Sequence, residues 1–179
     1  TGPASCADAI DSKVFRKLGV ASALALCQGA TPDDGRSACA NAANPKSAAE
    51  DILDLCKTSS SKGAMKCFQA AAAHLATVDM QKVLCDGAED EGPVIECLKS
   101  APYTMNGTNK AKLCNRATSA VPATCAQVLH EANAGVASGT YEDVTMGEQV
   151  IVKLCAGVSD VGPALCFLQA PKRLNKKQQ

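Results

Sequence analysis

Val78-Asp79-Met80-Gln81-Lys82-Val83-Leu84-Cys85-Asp86-Gly87-Ala88-Glu89-Asp90-Glu91-Gly92-Pro93-Val94-Ile95-Glu96-Cys97-Leu98-Lys99-Ser100 is the stretch that decides the fold. Thr77, just ahead of it, is a good N-cap residue, and Met80, Val83 and Leu84 fall on one face of a helix running from 78 to 88. Glu89 to Gly92 reads as a turn. Pro93 suits a first helical position, where its missing N–H costs nothing. A second helix then runs to about Ser100, and Pro102 stops it. The stretch is a helical hairpin with one cysteine on each arm.

The pattern extends in both directions. Leu-Cys occurs at Leu26-Cys27, Leu55-Cys56, Leu84-Cys85, Leu113-Cys114 and Leu154-Cys155. The first four of these cysteines are evenly spaced, and the last step is longer. Each is followed, after a near-constant interval, by another cysteine: Cys39, Cys67, Cys97, Cys125 and Cys166. A small residue often stands three after the first cysteine, as Ala30, Ser59, Ala88 and Ala117, and Pro93, Pro122 and Pro163 precede the second. A fixed period of roughly 30 residues is the signature of stacked supersecondary units.

These marks predict an all-α fold of tandem ~29-residue helical hairpins stapled by disulfides, either α-solenoid-like or a compact helical array. Cys6 begins the chain in a half unit, 1–12, and its neighbours Ala4-Ser5-Cys6-Ala7-Asp8-Ala9 resemble Ser37-Ala38-Cys39-Ala40-Asn41-Ala42. Whole units follow at about 13–44, 45–74, 75–103, 104–134 and 146–171, with an insertion at 135–147 and a basic tail at 172–179, all in one repeat domain. The opening on Thr1 fits removal of an initiator Met or a leader, or a fragment of a longer array.

Composition supports the same picture. Helices of about ten residues are marginal alone, and alanine, at 32 of 179 positions, favours helix but buries little area. Disulfides are the expected compensation, and eleven cysteines point to secretion, a cell surface or an organelle lumen. The near-constant spacing within units favours the pairs Cys27–Cys39, Cys56–Cys67, Cys85–Cys97, Cys114–Cys125 and Cys155–Cys166, because a bridge tolerates varied loops outside it better than inside. That scheme leaves Cys6 as a free or intermolecular thiol. The rival is a ladder between units, Cys6–Cys27, Cys39–Cys56 and onward, which leaves Cys166 free.

Other classes of function find little support. Lys and Arg together number 18, as do Asp and Glu, so no net field draws the chain to nucleic acid. No apolar stretch is long enough to span a membrane. Only His74 and His130 are available for acid–base work, and no catalytic or nucleotide motif is present. No Cys-x₂₋₄-Cys pair offers zinc a site, and no spaced Asp loop offers one to Ca²⁺. No enzyme, metal or cofactor is therefore expected.

The expected function is a non-catalytic structural and protein-interaction module, a subunit of a larger coat, filament or membrane-associated complex. The alternative is a stapled carrier of lipid or a small ligand, with a pocket lined by residues such as Leu53, Met80, Val83 and Leu113. Tyr103 and Tyr141 both fall in linkers between units and mark a candidate contact edge, since tyrosine is favoured at interfaces. Asn106-Gly107-Thr108 is a sequon for a possible N-glycan, or a plain turn with Thr108 as N-cap. The 135–147 span reads as a surface loop, its glycines arguing against helix. The loop charges alternate: Asp33-Asp34 acidic, Lys57, Lys62 and Lys66 basic, Asp86 and Glu89 to Glu91 acidic, Lys112 and Arg116 basic.

Overall fold

Each helix that ends in Leu-Cys closes the same way. The N–H three residues past the cysteine returns to the cysteine carbonyl, from Ala30 to Cys27 at 3.0 Å, Ser59 to Cys56 at 3.3 Å, Ala88 to Cys85 at 3.1 Å, Ala117 to Cys114 at 3.1 Å and Val158 to Cys155 at 3.4 Å. In four of the five turns the residue two past the cysteine sits in the left-handed region, as Gly29 (φ 73°), Gly87 (φ 67°), Gly157 (φ 72°) and, without a glycine's freedom, Arg116 (φ 55°), whereas Thr58 after Cys56 does not. Ala30, Ser59, Ala88 and Ala117 are buried against the turn, which is why that position is small. Five residues past the cysteine, a side chain caps the next helix. Ser61 accepts from Gly63 N–H, Asp90 from Gly92, Ser119 from Val121 and Asp160 from Gly162.

A computed structural model describes residues 2–31, 35–137 and 146–169. Among them the chain is all-helical, with eleven helices and no strand: α1 (Gly2–Asp8), α2 (Ser12–Cys27), α3 (Arg36–Asn41), α4 (Ala49–Cys56), α5 (Gly63–Ala71), α6 (Val78–Cys85), α7 (Glu91–Ser100), α8 (Gly107–Cys114), α9 (Val121–Ala137), α10 (Glu148–Cys155) and α11 (Gly162–Gln169). α2 is kinked at Gly19, whose φ of 74° is incompatible with helix.

Among the described residues, every helix packs against its neighbours one and two places along the chain, and against no helix farther away. Odd-numbered helices therefore form one row and even-numbered helices a second, which is the connectivity of an α-solenoid. Polar contacts repeat the step. Lys17 Nζ donates to Pro45 O, Gln69 to Ala42 O, Ser61 Oγ to Glu89 O, and Asn115 to the carbonyls of Val83, Leu84 and Asp86, all between residues 27 to 32 apart. The core between the rows is thin and alanine-rich, with Leu26, Ile52, Leu55, Met65, Leu84, Leu113 and Leu129 as its largest members.

The bridges correct the favoured pairing. They join Cys6–Cys27, Cys39–Cys56, Cys67–Cys85, Cys97–Cys114 and Cys125–Cys155, with Cα separations of 5.5 to 5.7 Å. Cys27–Cys39, Cys56–Cys67, Cys85–Cys97, Cys114–Cys125 and Cys155–Cys166 do not form. From α3 to α9, each odd helix packs more extensively on the even helix after it than on the one before it, so the hairpin is α5/α6, not α6/α7. Cys85 is the last residue of α6, whereas Cys97 lies six residues into α7, about 9 Å beyond its start at 1.5 Å per residue. The near-constant spacing from each Leu-Cys to the next cysteine is thus the imprint of one fixed turn. Cys6 is not a free thiol either. It is buried and bonded to Cys27, because α1 is the first arm of a whole hairpin, and the unpaired cysteine is the exposed Cys166 on α11.

The insertion differs from expectation at its start. Residues 135–137 continue α9 despite Gly135, and 138–145 lie outside the described residues. On the far side Met146 packs on the core and exchanges two hydrogen bonds with Asn133, Asn133 Nδ2 to Met146 O at 2.9 Å and Met146 N to Asn133 Oδ1 at 3.0 Å. The basic tail, 172–179, also lies outside the described residues.

Candidate interaction surfaces

The connection from α7 to α8 carries Tyr103, whose side chain stands clear of the protein at 89% exposure. Its backbone is anchored on both sides. Ala101 and Met105 are buried, Met105 N–H returns to Pro102 O at 3.0 Å, and Thr104 Oγ1 lies 2.5 Å from His130 Nε2 on α9. Lys110 Nζ donates to Tyr103 O at 3.4 Å. An aromatic ring on a tethered loop offers contact area with little ordering cost. Tyr141, expected to share this edge, lies outside the described residues.

Asn106 occupies the same connection. Its Oδ1 caps α8 by accepting from Asn109 N–H at 2.9 Å, so Asn106 rather than Thr108 is the N-cap. Its Nδ2, the atom a glycan would take, donates to Glu148 Oε2 at 2.5 Å. The same oxygen accepts from Asn106 N–H at 3.2 Å and Asn109 Nδ2 at 2.7 Å. Glu148, in the first turn of α10, therefore clamps α8 to α10. Nothing local in the sequence marks that pairing, because the partners are 39 and 42 residues apart.

A second clamp joins α4 to α6. Lys82 Nζ lies 2.8 Å from both Asp51 Oδ1 and Asp54 Oδ2, and hydrogen bonds to Asp51 and Asp54 hold the Lys82 amine well above the ordinary lysine range. Asp51 is buried, so the lysine offsets a desolvated carboxylate. Among the described residues the alternating loop charges meet as Lys66–Glu91 at 3.6 Å and Arg116–Asp86 at 3.5 Å, exposed pairs worth little each. Asp33-Asp34 lies outside the described residues.

Of the four residues named for an apolar pocket, three pack into or against the core. Leu113 is fully buried and Leu53 and Met80 are half-buried against the core. Val83, 40% exposed, instead lines an open surface cleft with Asp54, Lys82, Lys112 and Asn115. Among the described residues no three His, Cys, Asp or Glu side chains converge where an ion could sit. No described helix is long and apolar enough to cross a membrane. The five intrachain bridges point to an oxidising compartment, secreted or lumenal. The chain matches no family model, and neither the curated proteins nor the solved structures include one significantly similar to it.

Proposed function

We propose that the chain is a non-catalytic scaffold of an extracellular or lumenal space, working as a subunit that binds protein along the edge carrying Tyr103. The observation that supports this reading is the neighbour-only packing of two helical rows with a cystine in each successive hairpin from α1/α2 to α9/α10. Such an array is extended, rigid and durable outside the cytosol, and its connections present side chains at a regular step. Larger coats, filaments or membrane-associated complexes are the assemblies it suits.

The test is chemical cross-linking of the native protein in its own extract, followed by purification and peptide mapping. A stoichiometric protein partner cross-linked at Lys99 or Lys110, near the Tyr103 edge, and lost in a Tyr103→Ala variant, is the expected result. A monomer that purifies with a stoichiometric lipid or small molecule would overturn it and restore the carrier reading.

A further inference from the structure

Asn106-Gly107-Thr108 is the one Asn-x-Ser/Thr triplet in the chain, and its middle residue is not proline. It stands where the connection from α7 enters α8, with Asn106 and Thr108 both exposed. The hydroxyl of Thr108 is idle. One hairpin earlier, Thr77 caps α6 with its own hydroxyl, which accepts from Met80 N–H at 3.3 Å. In α8 that task falls to Asn106 Oδ1, which accepts from Asn109 N–H, and among the described residues Thr108 has no hydrogen-bond partner. The amide nitrogen of Asn106 is only partly used. It carries two hydrogens, and its partner among the described residues, Glu148 Oε2, takes one of them. The triplet thus keeps a free hydroxyl and a spare amide hydrogen at the surface, which a glycan acceptor needs and the fold does not.

We infer that Asn106 is an N-glycosylation site that carries an oligosaccharide on Nδ2, added before α8 forms. The oxidising compartment to which the five bridges point is where such transfer takes place. In the folded protein Gly107 and Thr108 are helical and the amide is held at Glu148, so a transferase must meet the triplet while it is still extended. Chain order gives it the opportunity. Cys114, whose bridge to Cys97 ties α8 to α7, lies eight residues farther on, and Glu148 lies 42 farther on. After folding, the modified amide keeps its oxygen and one hydrogen, enough to cap α8 and still donate to Glu148. Tyr103 is three residues away in the same connection. The bulky, polar sugar therefore borders the edge proposed to bind protein and keeps a partner from packing on the start of α8. The assignment of the site does not depend on that reading.

The donor is an oligosaccharide joined through pyrophosphate to a polyprenyl lipid. Asn106 Nδ2 attacks the anomeric carbon and the C–N bond forms. The bond from that carbon to the pyrophosphate oxygen breaks, and the lipid pyrophosphate leaves with the electron pair. One amide hydrogen departs as a proton to the transferase, and nothing is oxidised or reduced.

The experiment purifies the protein from the cells that make it and treats it with a peptide N-glycosidase in heavy-oxygen water, followed by peptide mapping. The expected result is loss of the glycan mass and a heavy-oxygen aspartate at position 106. A Thr108→Ala variant made in the same cells should lose the glycan completely while keeping its circular dichroism and its five bridges, because the fold does not use that hydroxyl. Thr108→Ser should restore the glycan. An unmodified Asn106 in the wild-type protein would overturn the inference. So would a Thr108→Ala variant that keeps the glycan, or a heavy-oxygen label that appears equally without the glycosidase, which marks simple hydrolysis of the Asn106 amide.

Discussion

Replacing both Cys97 and Cys114 with alanine removes one rung from the middle of the array and leaves no stray thiol. The two cysteines are 17 residues apart and both are fully buried. Freeing a loop of that length in the unfolded chain costs about 3 kcal/mol in the chain-entropy model, and loss of two buried sulfur atoms adds about 1 kcal/mol each. The expected destabilisation is thus about 4 to 5 kcal/mol, a large share of the roughly 5–15 kcal/mol that holds an ordinary domain. Because α7 and α8 touch only α5, α6, α9 and α10, the damage lands between two ends that stay bridged, and unfolding should lose its single cooperative step. Urea titration followed by circular dichroism at 222 nm, without reductant, measures both effects. Alanine at the exposed Cys166 is the control and should change stability by less than about 0.5 kcal/mol. A rung deletion costing less than about 1 kcal/mol with one sharp transition would refute the reasoning, and with it the idea that the cystines compensate for a thin core.

The remaining predictions concern single contacts. Mapping of the unreduced protein should recover Cys67 joined to Cys85 and Cys97 joined to Cys114, with Cys166 in none of the intrachain bridges; a Cys85–Cys97 peptide would contradict the hairpin frame. Gly63→Ala should cost about 2 kcal/mol or more in thermal or urea unfolding, the size of other overpacking changes, because the new Cβ would collide with the Glu89 carbonyl. Lys82→Met should cost about 1–2 kcal/mol at neutral pH by leaving buried Asp51 unpaired. Because the folded-state pKa of Lys82 lies above its ordinary value of 10.5, the lysine's contribution is complete below that pH and lost above it, so the gap between variant and wild type should narrow only on the alkaline side.

Much of the architecture was written in the Leu-Cys period, because each such dipeptide ends a helix and each interval holds one turn. The frame of the hairpin was not. Equal spacing between Cys85 and Cys97 looks like a covalent constraint, yet a stereotyped turn produces it equally well: a left-handed residue, a small buried residue and a capping Ser or Asp. The clue that pointed the right way was the likeness of the Cys6 segment to that around Cys39, which places Cys6 on a first arm. Gly29, Gly87 and Gly157, each two after its cysteine, were a second clue. Tyr103 was legible as an exposed aromatic because a linker residue has few neighbours to bury it. The Glu148 clamp on Asn106 and Asn109 was not, since contacts between hairpins leave no mark in local periodicity.

The rungs follow one another along the chain without nesting, and that order governs how the protein bears load. Pulled apart by its ends with every bridge intact, the stretch between Cys6 and Cys155 cannot pay out its full length. Force takes the short cut through each cystine, so about 46 residues and five bridges carry it, a tether of roughly 190 Å against roughly 520 Å for the reduced chain. The helices inside the loops can melt, but they cannot lengthen the path. A chain built this way is a strap with a fixed maximum reach, and its redox state sets that reach.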